Sequence, residues 1–585
     1  MKRAAFLAAA LALSATMSFS LSIYPIDRTQ ILAGSRFDFK VELDAVTAEN
    51  DVSIVVEKAG VAASAAKVFG KKPEFMEKDG DVNASAFVLR DLSLAGAGTY
   101  KVTVQDGTSS KTVTWTVYPA AVKPAAKNVI FLLADGLSIG HRTAARIMSK
   151  GNTQGTSNGL MNFDLMDRTG MVGTSSVDSI AVDSANSMSA YMTGHKSSVN
   201  AMGVYADRTK DPFDDPKQET IAELLRRWTG KSIGIVSDAE IEDATPAAVV
   251  SHTRRRDEKA AIVKFFLDVK PEVILGGGAA YFIPKSVQGS KRADDINYID
   301  EFQKAGYALA TTGTELSEVM ASKPKRLLGL FHPSNMDGVM DRKLFFGNTV
   351  ADYPDQPDLT DMTKAALDVL SKNPAGFFLM VEAGLVDKFS HPMDWERSVY
   401  DTIMYDKVIG IAQEFAKRNP GTLIIVTGDH THSISVYGTV NDNLKPGQPL
   451  REKVGTYGAA GFPSYTDDDH DGYPDTPAVP RRLAVGFGNH PDYWENFLPK
   501  LDSTFAPTVK DEKGNYIANE KYKTDEAVLI AGNLPHSEAT EVHSVDDMTL
   551  SMSGPGAEKL KAYQENTAIF RYMVEALGLA PKAKK

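Results

Sequence analysis

Cysteine is missing from all 585 residues. That excludes disulfides, thiolate catalysis, cysteine-ligated zinc and a lipid anchor on cysteine. Any metal must then be held by Asp, Glu, His and hydroxyl groups. Positive charge is in deficit too: 64 Lys and Arg against 75 Asp and Glu leave a net charge of −11. A chain of that sign repels phosphate backbones, which argues against nucleic acid as a partner. A small anionic substrate would need a local positive centre, such as metal ions, to overcome the field. Past the N-terminal stretch, no segment approaches the ~18 apolar residues of a membrane span. There is no internal repeat and no long low-complexity tract.

The chain opens with Met1-Lys2-Arg3, an apolar run AAFLAAALALSA and a small-x-small stretch at Ser18-Phe19-Ser20. This is the pattern of a secretory signal peptide over 1–20, so an exported protein, periplasmic or extracellular, is expected, without an integral membrane segment after cleavage. Residues 21–118 alternate apolar and polar positions in FDFKVELDAV, ASAFVLRDL, GTYKVTVQDG and SKTVTWTVYP. Period-2 patterning between Gly, Asp and Ser turns predicts a small all-β domain, a β-sandwich of immunoglobulin type. The Ala/Pro-rich PAAVKPAAK, 119–127, reads as a linker.

From residue 128 to about 580 the pattern changes. Short apolar runs (NVIFLLADG, SIGIVSDAE, EVILGGG, RLLGLF, GFFLMVEAG, TLIIVTGDH, RLAVGF) alternate with helical stretches such as TIAELLRRWTG and WERSVYDTIMYDKVIGIAQEFAKR. That order predicts an α/β fold, a doubly wound, mostly parallel sheet flanked by helices, with ligands bound beyond the carboxyl ends of the strands. Asp135, Asp243 with Thr245, Glu382, and Asp429 with His430 all stand at such ends. Asp387 and His391 are four apart, so on a helix they share one face and can grip one ion. In VDSANSMSAYMTGH (182–195), a serine opening a small-residue helix would have backbone N–H groups beside it, an environment suited to attack on an anion.

Together these motifs resemble the alkaline phosphatase family over roughly residues 128–575. The resemblance implies Ser184 as nucleophile beside Asp183, and Arg256 as the phosphate-gripping arginine, eleven residues after Thr245. It implies one zinc on Asp387, His391 and His543, a second on Asp135, Asp429 and His430, and magnesium on Asp135, Thr245 and Glu382. His543 lies in TEVHSVDDMTLSMSGPGA; His536 in LPHSEAT is the competitor. Asp243 and Lys388 resemble tuning positions, and His432 a residue supporting a ligand. The implied activity is hydrolysis of small phosphate monoesters through a phosphoserine, two cations about 3.5–4 Å apart clamping the phosphate. Assembly stays open, a homodimer included. The chain departs from the pattern in reading SANSMSA at the nucleophile helix and in carrying the N-terminal β-module.

A sulfatase or phosphodiesterase reading is the enzymatic alternative; Ser184 lacks the S-x-P-x-R context a sulfatase needs. An adhesive protein with an inactive metal domain is the non-enzymatic one, against which stands a full set of expected ligands. A separate acidic loop, TDDDHDGYPDTP, offers Asp467, Asp469, Asp471, Tyr473 through its carbonyl, and Asp475 in a calcium-loop spacing. Ala478 stands at its twelfth position, where an EF-hand carries Glu.

Overall fold

The structure, a computed structural model, describes residues 21–581 apart from 108 and 446. The signal segment 1–20 lies outside the described residues.

A ten-stranded sheet organises the chain. Its order is Ala308–Ala310, Leu327–Leu330, Val273–Gly277, Ser232–Glu240, Phe377–Ala383, Asn128–Ala134, Thr422–Thr427, Met548–Ser553, Arg168–Gly173 and Tyr563–Glu565. The first seven strands are mutually parallel; Met548–Ser553 runs antiparallel to both its neighbours. Along Asn128–Ala134, Val129, Phe131 and Leu133 pack with helices Ser184–Thr193, Ile221–Trp228 and Thr567–Leu577 on one face. Ile130, Leu132 and Ala134 pack with Ile139–Lys150, Leu359–Ser371 and Trp395–Arg418 on the other. Both faces are covered, which is why these strands are unbroken apolar runs with no polar alternation.

One strand sits elsewhere than expected. Arg481–Phe487 leaves the main sheet and pairs antiparallel with Ile434–Asn441 in a three-stranded sheet. Leu483, Val485 and Phe487 are still buried in the core that the helices of one face share, and a buried run carries no mark of which sheet it joins.

The N-terminal region, from Ser22 to Tyr118, is all-β. A four-stranded sheet built on Arg36–Glu42 and Ala86–Ser93 faces a five-stranded sheet built on Gly98–Gln105 and Ser110–Tyr118. Trp115 is fully buried between them, with Phe37 and Phe39 edge-on at 5.9 and 6.1 Å, and its indole N–H donates to the Pro25 carbonyl at 2.9 Å. The 119–127 stretch has no regular structure, yet Ala125 and Ala126 N–H both donate to the Ala576 carbonyl at 2.8 Å.

Helix Trp395–Arg418 packs on the short helix Leu385–Ser390, and its first turn is held by an unusually buried cation. Arg397, 0% exposed, makes a bidentate pair with Asp341 at 2.8 and 2.8 Å and reaches Asp394 at 2.8 Å and the Lys500 carbonyl at 2.6 Å. Arg397→Met strands two buried carboxylates. We expect a loss of about 3–5 kcal/mol in urea denaturation; a loss below about 1 kcal/mol would contradict the assigned pairing.

Candidate active site and metal centre

Four adjacent parallel strands end side by side. Leu133 aligns with Glu382 and with Thr427, and Glu382 aligns with Ser237. The chain therefore leaves the sheet four times near one place, and Asp135, Glu382, Asp429 and His430, and the stretch from Asp238 to Thr245 that follows Ser237, all converge there. Gly136 makes the first of these exits: its φ is +67°, and a Cβ on it would sit 2.4 Å from the His432 ring. Its N–H donates to Asp429 Oδ1 at 3.1 Å. Only glycine meets both demands.

The first cluster centres on Asp387 Oδ1. Asp387 and His391 lie one turn apart, with His391 N–H donating to the Asp387 carbonyl at 3.0 Å. Nε2 of His391 and of His543 lie 3.3 and 3.4 Å from that oxygen and 3.1 Å from each other. Their Nδ1 atoms meet the backbone carbonyls of Glu541 (2.8 Å) and Val182 (2.7 Å). With Nδ1–H donating to a carbonyl, each Nε2 offers a lone pair whenever its ring is neutral. Two imidazole lone pairs and a carboxylate oxygen thus point into one space, which suits a cation of the zinc type.

His432 belongs to this cluster differently. Its Nε2 contacts Asp387 Oδ1 at 2.8 Å and its Nδ1 contacts Glu541 Oε2 at 2.5 Å, so both nitrogens are engaged and the ring bridges two carboxylates. Glu541, 0% exposed, was missed by the sequence reading although it is the Glu of the E-x-H stretch that carries His543. Burial pushes His432 down, but Glu541 and Asp387 outweigh it and raise it to about 9. Burial opposes ionisation of Asp387 as well, yet His391 and Lys388 hold it well below the usual carboxylate range. His543 goes the other way, lowered to about 3 by burial and by His430.

The second cluster joins His430 Nε2 to Asp135 Oδ1 at 3.0 Å and Asp429 Oδ2 at 3.6 Å. Ser184 is the first residue of helix Ser184–Thr193, directly after its N-cap Asp183. Ser184 Oγ stands 3.3 Å from both Asp135 Oδ1 and His430 Nε2. The third group has Glu382 bonded to Ser237 Oγ, with Thr245 in the short helix Ala244–Ala247 packed on strand Phe377–Ala383. Ser237 left no trace in the sequence, being one serine inside a buried strand. Burial and the Asp135 charge raise Glu382 well above the carboxylate range.

These donors fit metals by a direct test. Asp429 Oδ2, His430 Nδ1 and Thr245 Oγ1 are buried with no hydrogen-bond partner. Buried polar atoms are ordinarily paired, and here the orphans coincide with the oxygen and imidazole groups that metal ions take.

Of three consecutive arginines only Arg256 turns to this place. It reaches Asp183 Oδ2 at 3.1 Å and Asp243 Oδ1 at 3.0 Å, while Arg255 is exposed and Arg254 pairs elsewhere. Lys388 lies between Asp243 (3.3 Å), Asp387 (3.1 Å) and Asp135 (3.8 Å). Burial opposes its charge, but these acids raise its pKa well above the usual value. His536 is exposed and belongs to none of these donor groups.

The acidic loop brings carboxylate oxygens of Asp467, Asp469 and Asp471 within 4.8 Å of one another. Lys343 meets Asp471 at 2.7 Å, Asp475 accepts from Thr466 Oγ1 at 2.7 Å, and Lys407 lies 3.4 Å over the Tyr473 ring.

A serine-bearing helix start, set against carboxylate and imidazole clusters at the carboxyl edge of a parallel sheet, defines a metal-dependent hydrolase of phosphoryl esters. The family model for alkaline phosphatase matches residues 126–579, and the chain belongs to that family. It is 31% identical over 404 residues to the alkaline phosphatase of Escherichia coli, covering 62% of this chain and 82% of that one. It is 28% identical over 502 residues to the tissue-nonspecific isozyme of Gallus gallus, covering 78% and 85%. The fold matches Thermus thermophilus alkaline phosphatase with a TM-score of 0.56 at 22% identity, over 79% of this chain and 93% of that one. The chain is a phosphomonoesterase of this metal-dependent family. Among the described residues no helix is long and apolar enough to cross a membrane.

Removing the carboxylate behind His432 tests how the first cluster is held. Glu541→Gln is expected to weaken metal binding by about ten- to a hundredfold in a chelator competition; unchanged affinity would contradict that support.

Proposed function

We propose that the protein hydrolyses phosphate monoesters by in-line attack of Ser184 Oγ on phosphorus, which breaks the ester P–O bond, releases the alcohol and leaves a phosphoserine that water then cleaves to inorganic phosphate and free Ser184. The observation that carries this is the position of Ser184 Oγ, 3.3 Å from both Asp135 Oδ1 and His430 Nε2 at a helix N-terminus. Asp387, His391 and His543 would hold one zinc, Asp135, Asp429 and His430 a second, and Asp135, Thr245 and Glu382 magnesium. One fold relative, a variant of the TAB5 alkaline phosphatase, has magnesium bound in its M3 site, which supports that third ion. The bound ions supply charge neutralisation for the non-bridging oxygens and lower the pKa of hydroxyl groups they contact.

The chain's own residues do the rest. The planar fork of Arg256 offers paired N–H donors that match two phosphate oxygens, and it exchanges Asp183 and Asp243 for them. Asp183 caps the nucleophile helix through Asn186 N–H at 3.2 Å, so the serine and the arginine are indexed to one carboxylate. Lys388 and Arg256 give an acidic protein a local positive field for a dianion. The basic and apolar residues of 1–20 support export. The oxygen-only donors of the 467–475 loop suit calcium.

Two measurements check this reading. Ser184→Ala is expected to keep its zinc and lose at least about 10³-fold in turnover of p-nitrophenyl phosphate, the diester and sulfate ester being poor substrates of the parent. Full activity in that variant would refute the nucleophile assignment. Calcium added to the chelated protein is expected to raise Tm, and Asp469→Asn to abolish the rise; no rise in the parent would count against a calcium loop.

A further inference from the structure

The N-terminal β-region reaches the loop of Arg256 through a ladder of single pairings. Phe37 bridges Gln218, Lys217 bridges Val204, and Met202 bridges Thr253, each antiparallel. Asp38 N–H donates to the Lys217 carbonyl at 2.8 Å, Tyr205 N–H to Pro216 at 2.9 Å, and Met202 N–H to Thr253 at 2.8 Å. The ladder ends where Arg256 N–H donates to the Asn200 carbonyl at 3.0 Å, and Asn200 N–H in turn donates to Asp183 Oδ1 at 3.1 Å. Gly203 allows the close approach, since a Cβ there would lie 2.3 Å from the Ser251 carbonyl oxygen.

Side chains run along the same route. Lys40 of the β-region, 2% exposed, meets Asp207 Oδ2 at 2.6 Å and Asp79 Oδ1 at 2.8 Å. Asp207 Oδ1 then accepts from Arg254 Nη2 at 2.6 Å. All five N–H donors of Arg254 are spent on this segment: the Asp207 and Thr209 carbonyls at 2.8 and 2.6 Å, Asp207 Oδ1, and both oxygens of Asp215. Arg254 stands two residues before Arg256 and makes no contact with the site. Asp207 and Asp215 are fully buried at the side chain. A buried acid between two cations has one low-energy arrangement, and losing one cation leaves an uncompensated charge that moves its neighbours.

We propose that the N-terminal β-region is a positioning element for the phosphate grip, with Lys40, Asp207 and Arg254 the residues that set the loop carrying Arg256. This rests on the reading of Arg256 given above. The region's tie to the hydrolase is then functional as well as mechanical: it holds the arginine fork in register with the nucleophile helix through the 200–218 segment.

The experiment is a double-mutant cycle on the full chain with its metals, read by the inhibition constant for inorganic phosphate and by KM for p-nitrophenyl phosphate. Lys40→Met is expected to raise both by about tenfold, within the range carried by packed networks, with kcat changed far less. In an Arg256→Ala background the same substitution is expected to change neither, because the group it positions is gone. Asp207→Asn, which keeps the size of the side chain, is read the same way should Lys40→Met not fold. A raised phosphate constant in Arg256→Ala with an unchanged one in Lys40→Met and Asp207→Asn overturns the positioning role alone. An equal rise in both backgrounds overturns it too, marking a general structural defect. An unchanged constant in Arg256→Ala sinks the reading of Arg256 and the proposal with it.

Discussion

Asp387 Oδ1 faces the ring nitrogens of three histidines within 3.4 Å, two of them offering lone pairs, and Asp135 and Asp429 crowd a fourth ring close by. Such a gathering is repulsive in a dry interior unless cations stand among its members. The rest of the site follows from that constraint. Donor directions have to be held against their own repulsion: His391 and His543 have Nδ1 tied to backbone carbonyls, His432 to Glu541, Asp429 accepts from the Gly136 N–H, and Glu382 from the Ser237 hydroxyl. The resulting support shell of Glu541, Ser237, Gly136 and the Val182 carbonyl is as specific as the donors themselves.

The sheet supplies the stiffness this needs. Strands buried on both faces cannot shift without dislodging two helix layers, and four of them deliver their last residues in register. Ser184 comes from a different element, a helix whose N-terminus is aimed at the same point. Ser184 is therefore placed by helix packing, and Asp135, Glu382, Asp429 and His430 by strand register. The positive charge is local: Arg256 and Lys388 are each enclosed by carboxylates.

Much of this could be read from the chain, for physical reasons. Apolar runs ending in Asp, Glu or His mark a parallel strand and its catalytic end at once, so Asp135, Glu382, Asp429 and His430 were visible from position alone. Asp387 and His391 were visible from helical spacing. The antiparallel placement of Arg481–Phe487 was not, because a short buried run looks the same in any sheet. Ser237 and Glu541 act through side-chain hydrogen bonds across about a hundred residues or more, which leave no period in the sequence. The pairing of Lys40 with Asp207 is hidden for the same reason, and the linker reading of 119–127 gave no hint that the β-region clasps the catalytic part along a second route. Among three adjacent arginines, the count that the family resemblance implies singled out Arg256, and its neighbour Arg254 is consumed by Asp207 and Asp215.

The central claim is that this cluster of donors is a site for cations and is unfavourable without them. Metal content and Tm, measured on the same sample before and after chelation, test it most directly. The account predicts about three bound ions per chain, a Tm that falls when they are stripped, and recovery of both Tm and phosphatase activity with zinc plus magnesium. A stripped protein that keeps its Tm and its turnover would contradict it.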